Sequence, residues 1–252
     1  MNKSVTSFIH SVIRKFGFDI IRYTKDPLDF SQQNSNIYNT VKAYTMTDAK
    51  RVNVLIDAVH YIVTNNIEGA FVECGVWKGG STMAMALTLK ILADESRDLY
   101  LYDTFSGMST PSDDDVSFNG LEAYQKFSRT KISEDSSNWC FSSLNEVKEN
   151  IFSTEYPREK IHFIEGKVED TVPTSIPGKI ALLRLDTDWY ESTKHEMTHL
   201  FPLLNQNGIL IIDDYDKWKG SRKAIDEYIA DNNICILLNP IDGRFGRIAI
   251  KT

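Results

Sequence analysis

The sequence is poor in features that mark whole classes of protein. It has three cysteines, Cys74, Cys140 and Cys235, and no CxxC pair. An odd, scattered set of thiols suits a reduced, cytoplasmic setting rather than a disulfide-stapled one. No apolar run approaches the roughly 20 residues of a membrane span. The first residues alternate apolar and polar, so they lack the continuous apolar stretch of a secretory leader. Basic charge is also short: 28 Lys and Arg stand against 35 Asp and Glu, a net charge of -7. That balance argues against a nucleic-acid-binding surface over the whole molecule. Internal repeats and low-complexity tracts are absent, and so is the dinucleotide pattern GxGxxG.

What is present is an ordinary globular composition in 252 residues, 42% hydrophobic and 25% charged. That length suits one α/β domain. Residues 1–25 stand apart, with five basic residues (Lys3, Arg14, Lys15, Arg22, Lys25) against Asp19. Phe8, Val12, Ile13, Phe16, Ile20 and Ile21 recur there at near-helical spacing, interrupted by Gly17. Two readings stand for this arm. The favoured one is a helix packed on the body or on another subunit. The other is a basic amphipathic segment resting on an anionic membrane surface. Residues 26–45 are polar, hold Pro27 and read as a linker or mobile lid. The expected organisation is therefore an arm and linker over 1–42 and a domain over 43–252.

A helix is expected at about 47–65, capped by Thr47 or Asp48, with Val52, Leu55, Ile56, Val59 and Ile62 on its apolar face. From residue 70 short apolar runs alternate with helical patterns. The runs 70–75, 99–104, 161–166, 180–186 and 208–214 are apolar on both faces, as buried parallel strands are. Helices are expected at 80–93, 191–205 and 219–232. This is the βαβ rhythm of a Rossmann-like, doubly wound, mostly parallel sheet. The runs 234–241 and 245–251 flank Asp242-Gly243 and predict a terminal antiparallel hairpin. Residues 106–152 break the rhythm with a long polar insertion, the usual place of a functional lid.

The first run ends Glu73-Cys74-Gly75-Val76-Trp77-Lys78-Gly79-Gly80-Ser81 and leads into a helix. A glycine turn there lets a ligand approach the backbone closely. Gly75 and Gly79 are four apart, with Trp77 where a pyrophosphate-binding loop needs its second glycine, which ranks a nicotinamide enzyme low. Glu/Asp-x-Gly-x-x-x-Gly is instead the pattern of class I methyltransferases. Glu73 suits the cofactor's ammonium and Gly75 its methionine portion. Asp103, ending the second run, suits a ribose diol.

The fourth run ends Arg184-Leu185-Asp186-Thr187-Asp188 and the fifth Ile212-Asp213-Asp214-Tyr215. Adjacent strand ends would bring four carboxylates into one small volume, where they repel unless a cation joins them. Oxygen donors select a hard ion such as magnesium or calcium. His195-Glu196-Met197-Thr198-His199 also has the letters HExxH. It is read as a chance match and a polar helix face, because a zinc protease needs a different architecture and a third ligand.

Taken together, Tyr44-Thr45-Met46 with Arg51, the segments 73–81, 103–107, 113–115 and 184–193, and the stretch 211–215 resemble the macrocin and mycinamicin O-methyltransferase (TylF-like) family. The likeness covers about residues 43–250. It implies S-adenosylmethionine, a magnesium ion and methylation of a sugar hydroxyl. On this resemblance Asp186, Asp213 and Asp214 are the metal ligands, and Asp188 is a residue behind them or the base, which makes Asp186 and Asp188 the catalytic candidates. Glu73, Gly75, Gly79, Ser81, Asp103 and Thr104 are the cofactor-side candidates, with Thr45 and Met46 closing over it. Homo-oligomers are implied too. The basic arm and the polar insertion at 116–152 depart from the macrolide-tailoring members. Two alternatives remain: a catechol-type enzyme acting on a phenol, and a non-catalytic cofactor-binding module.

Overall fold

The computed structural model describes residue 15 and residues 30–252, apart from 242 and 244. The chain divides between residues 30 and 31, and every element below belongs to the second unit. The rest of the proposed arm, 1–14 and 16–29, lies outside the described residues. No helix among the described residues is long and apolar enough to cross a membrane.

Helix α1 (Gln32–Val41) forms where the polar composition of 26–45 reads as a linker. Ser31 caps it, its hydroxyl accepting the Asn34 amide at 3.0 Å. Its buried stripe is short, Asn34, Ile37 and Val41, and Asn34 donates to Asn53 across the interface at 2.8 Å. Helix α2 (Ala49–Thr64) begins at the Asp48 cap and buries the expected apolar face.

The strands are β1 (Ala70–Cys74), β2 (Leu99–Asp103), β3 (Ile161–Glu165), β4 (Ile180–Leu185), β5 (Leu204–Ile212), β6 (Asn239–Pro240) and β7 (Arg247–Ile250). They form one seven-stranded sheet in the order β3-β2-β1-β4-β5-β7-β6. Strands β1 to β5 are parallel, while β7 runs antiparallel to β5 and β6 antiparallel to β7. The terminal antiparallel element exists but is smaller than the apolar run suggests. Residues 234–238 are not strand, and the turn position 242 lies outside the described residues.

Helices α3 (Gly80–Ile91), α6 (Val168–Thr171), α7 (Tyr190–His199) and α8 (Lys219–Asp231) connect the strands. Helix α7 stops six residues before the expected end. Pro202 sits in a short 3-10 turn there, and β5 starts at once at Leu204. The insertion holds two further helices, α4 (Ala123–Thr130) and α5 (Leu144–Phe152).

Alternate strand residues feed two cores, as the two-residue period requires. Phe71, Leu99, Leu101, Leu182, Ile209 and Ile211 pack against α1, α2 and α3. Val72, Leu183, Leu185, Leu210 and Ile212 pack against Met197, Leu200 and Ile225 on the other face. Because both faces are covered, ligands have access only at the strand ends.

Candidate active site

Strand register builds the site. Cys74 pairs with Leu185, and Leu185 with Ile212. The residues just beyond these pairs, Gly75, Asp186 and Asp213, therefore stand in a row at the carboxyl edge, next to Asp103. Between β1 and β4 the strand order reverses, which opens the crevice where such sheets bind ligands. Gly75 has φ +83°, and a side chain there would strike the Asp186 carbonyl oxygen. Only glycine lets the β1 turn pass so close to the β4 loop.

A cavity of about 470 Å³ fills this crevice. Of the residues expected to hold a cofactor, Thr45, Met46, Glu73, Gly75, Ser81, Asp103 and Thr104 line it. Asp103 is held by the turn above it. Its Oδ2 accepts the amides of Val76 (2.6 Å) and Trp77 (3.0 Å), and its Oδ1 that of Phe105 (2.7 Å). Each carboxylate oxygen accepts two bonds, so Oδ2 is full and Oδ1 keeps one position for a ribose hydroxyl. Burial pushes Asp103 above the usual carboxylate range, against the pull of these amides. The Thr104 hydroxyl donates to Gly107 O at 2.7 Å, which closes its own turn. The Tyr44 carbonyl accepts the Gly80 amide at 2.9 Å, docking the 44–47 segment on the start of α3. Met46 is 61% exposed at the mouth. Gly79 is not among the lining residues; it faces Ile151 and Val147 of α5.

Glu73 is almost fully buried and bonded to Thr82 and to Arg184 Nη1, the latter at 2.9 Å. Arg184 is the hub of the site. The same Nη1 donates to Asp186 Oδ2 at 2.8 Å, while Nη2 reaches Asp213 Oδ1 at 2.9 Å and Thr47 at 3.3 Å. Arg51 takes the other Asp213 oxygen at 2.7 Å. One buried guanidinium thus joins the ends of β1, β4 and β5 and the segment before α2. Sequence reading passed over Arg184 as part of a motif, although a charged residue inside a run of Ile, Ala and Leu is a signal in itself.

Asp186, Asp188 and Asp214 each bring a carboxylate oxygen within 4.8 Å of the others. Asp213 stays outside this trio, both its oxygens being taken by arginines. Burial drives Asp186 and Asp214 well above the usual carboxylate range, more than Arg184 and Lys217 can offset. Asp188 Oδ1 is buried and has no hydrogen-bond partner among the described residues. The Lys217 ammonium stands 3.3 Å from Asp214. Burial disfavours that ammonium, yet Asp188, Asp214 and Asp186 outweigh burial and raise its proton affinity. Clustered oxygen donors with an orphaned buried lone pair fit a hard divalent cation.

The opposite wall is aromatic. Trp189 packs edge to face on Trp139 and Trp218, which are tilted to each other, with centroids 5.2 to 6.0 Å apart. Trp139 and Trp218 line the cavity together with Met108, Phe118 and Leu121. The letters HExxH make no metal site. His195 bonds the Val172 carbonyl at 2.8 Å, and Glu196 is buried between α7 and the sheet.

The doubly wound sheet has a deep crevice bounded by a strand-end acid, a glycine turn and an acidic pair of neighbouring strand ends, the arrangement expected of a methyltransferase. The family model for macrocin O-methyltransferase (TylF) matches residues 5–246, and the chain belongs to that family of enzymes. It is 31% identical over 201 residues to demethyldecarbamoylnovobiocin O-methyltransferase of Streptomyces niveus, covering 79% of this chain and 73% of the relative. It is 30% identical over 198 residues to mycinamicin III 3''-O-methyltransferase of Micromonospora griseorubida, covering 79% and 74%. Among solved structures it resembles the O-methyltransferase NovP, with a TM-score of 0.73, 25% identity, and coverage of 99% of this chain and 98% of that one.

Proposed function

We propose that the enzyme transfers a methyl group from S-adenosylmethionine to a sugar hydroxyl of a glycan or glycosylated small molecule, with a magnesium ion at the carboxylate site. The observation that carries this reading is one cavity lined by Glu73, Gly75 and Asp103 on one side and by Asp186, Asp188 and Asp214 on the other. Relatives whose names describe methylation of mycinamicin and of a rhamnosyl tetracenomycin support the sugar acceptor.

Asp103 and Glu73 hold the cofactor's ribose and amino end, and Gly75 leaves room between them. The bound cofactor supplies an electrophilic methyl group on a sulfonium. Asp186 and Asp214 hold the metal, and Asp213 keeps Arg184 and Arg51 in place beside it. Magnesium supplies fixed positive charge next to the acceptor hydroxyl and lowers its pKa. Asp188 takes the hydroxyl proton on its unpartnered oxygen; burial raises its proton affinity, which suits a base. Trp139, Trp218 and Met108 keep water from the site.

The test supplies cofactor labelled in the methyl group, with rhamnosides and other glycosides in one arm and catechols in the other. Label is expected on the glycosides. Transfer to catechols alone overturns the sugar reading in favour of a phenolic acceptor, and transfer to neither overturns catalysis on both classes.

A further inference from the structure

Three cations serve the carboxylates of this site, Arg51, Arg184 and Lys217, and the last two are held very differently. Arg184 is 2% exposed and makes bonds of 2.8 to 3.3 Å to Glu73, Asp186, Asp213 and Thr47. It has nowhere to go. Lys217 stands three residues after Asp214 in the turn before α8, its amide bonded to the Asp214 carbonyl at 3.0 Å. Its ammonium is 3.3 Å from both oxygens of the Asp214 carboxylate, longer than the roughly 2.7–2.9 Å of a tight charged bond. The Lys217 side chain is 43% exposed, whereas that of Asp214 is 5% exposed. One partner is fixed and the other stands at the cavity, which Lys217 lines.

The carboxylates facing this ammonium are Asp188, Asp214 and Asp186, the same three that lie within 4.8 Å of one another. Arg184 is bonded to Asp186, which leaves Asp188 and Asp214 facing the one lysine ammonium. A divalent ion among them meets the ammonium as a like charge, and the two cannot share Asp214 at close range.

We infer that Lys217 is a tethered counter-cation that neutralises Asp214 when no metal is bound and competes with the divalent ion for that carboxylate. The inference rests on the metal reading above. When the ion enters, the ammonium leaves Asp214 while its backbone stays anchored, since the Lys217 carbonyl accepts the Phe118 amide at 3.1 Å. The released charge then faces the acceptor side, beside Phe118 and Trp218. Lys217 thereby sets metal affinity and links metal entry to the acceptor wall.

The experiment titrates the full chain with Mg2+ alone, and separately with Mn2+, by calorimetry, with neither cofactor nor acceptor present. It compares wild type with Lys217→Met, which keeps the stem and loses the charge, and Lys217→Arg, which keeps the charge. Lys217→Met is expected to bind Mg2+ at least tenfold more tightly, with Lys217→Arg within about threefold of wild type. Without metal, Lys217→Met is expected to melt below wild type and to gain more from added Mg2+. Equal or weaker Mg2+ binding by a folded Lys217→Met overturns the competition while leaving the metal reading intact. Absence of Mg2+ and Mn2+ binding in wild type and variants alike overturns the metal reading itself, and the inference with it. Lys217→Gln serves as a second neutral variant if the methionine form fails to fold.

Discussion

At the scale of single residues, the site is a problem in buried charge. Glu73, Asp186 and Asp213 tolerate their positions because Arg184 satisfies one oxygen of each. A buried ion pair of this kind contributes little net stability, but removing one partner strands the rest. Glu196 has no such partner. It is fully buried, and its neighbours are Thr187 and Cys74. Burial raises its pKa well above the usual carboxylate range. The folded state therefore holds this proton more tightly than the unfolded state does. Its contribution is intact below about pH 4.5 and is lost as pH rises toward the folded value. Glu196→Gln is neutral throughout and escapes that loss. The stability of Glu196→Gln relative to wild type is expected to grow as pH rises above the ordinary glutamate range. Denaturant unfolding at a series of pH values checks it, and a difference independent of pH contradicts it.

At the scale of elements, short anchors hold long connections in place. Asp115 is 1% exposed, and its carboxylate accepts the Ser112 amide (2.7 Å), the Ser112 hydroxyl (2.9 Å) and the Tyr190 amide (2.8 Å). It fastens the insertion to the first turn of α7, directly after the Asp186–Asp188 loop. Bonds from backbone amides to a carboxylate at a helix start are worth roughly 1–3 kcal/mol together. Asp115→Ala is expected to lower the denaturation midpoint by about that much and to raise KM for the acceptor, while cofactor affinity stays within about twofold. Loss of cofactor binding in a folded Asp115→Ala protein contradicts the division of the cavity into two sides.

The same scale explains what the sequence could and could not disclose. Strands β1, β2, β4 and β5 are legible because both their faces are buried, leaving runs such as Ile180 to Leu185 nearly without polar residues. Helix α1 is not, since its buried stripe is Asn34, Ile37 and Val41, and one member of the three is polar. Helix α4 buries only Ala123 and Phe127. The acids of the site are legible from their place at strand ends. Their ties are not, because Glu73 and Arg184 meet across 111 positions of chain and no spacing rule reaches that far. The trio of Asp186, Asp188 and Asp214 likewise depends on which way Asp213 turns, and that is decided by Arg51 and Arg184.

At the scale of the whole molecule, a covered sheet confines chemistry to its carboxyl edge, and the β1/β4 switch makes that edge a cavity. Its lining draws on different strands: Glu73 and Asp103 come from β1 and β2, to which the proposed function assigns the cofactor, and the clustered carboxylates follow β4 and β5. The account accordingly predicts that the two ligands separate experimentally. The deciding measurement strips the protein exhaustively of divalent ions, then follows cofactor binding by calorimetry and methyl transfer to the best glycoside acceptor in the same preparation. Cofactor affinity is expected to persist within about threefold, transfer to fall below detection, and added Mg2+ to restore it. Full transfer by stripped protein in excess chelator would contradict the account and leave proton abstraction by Asp188 as the whole of the catalysis.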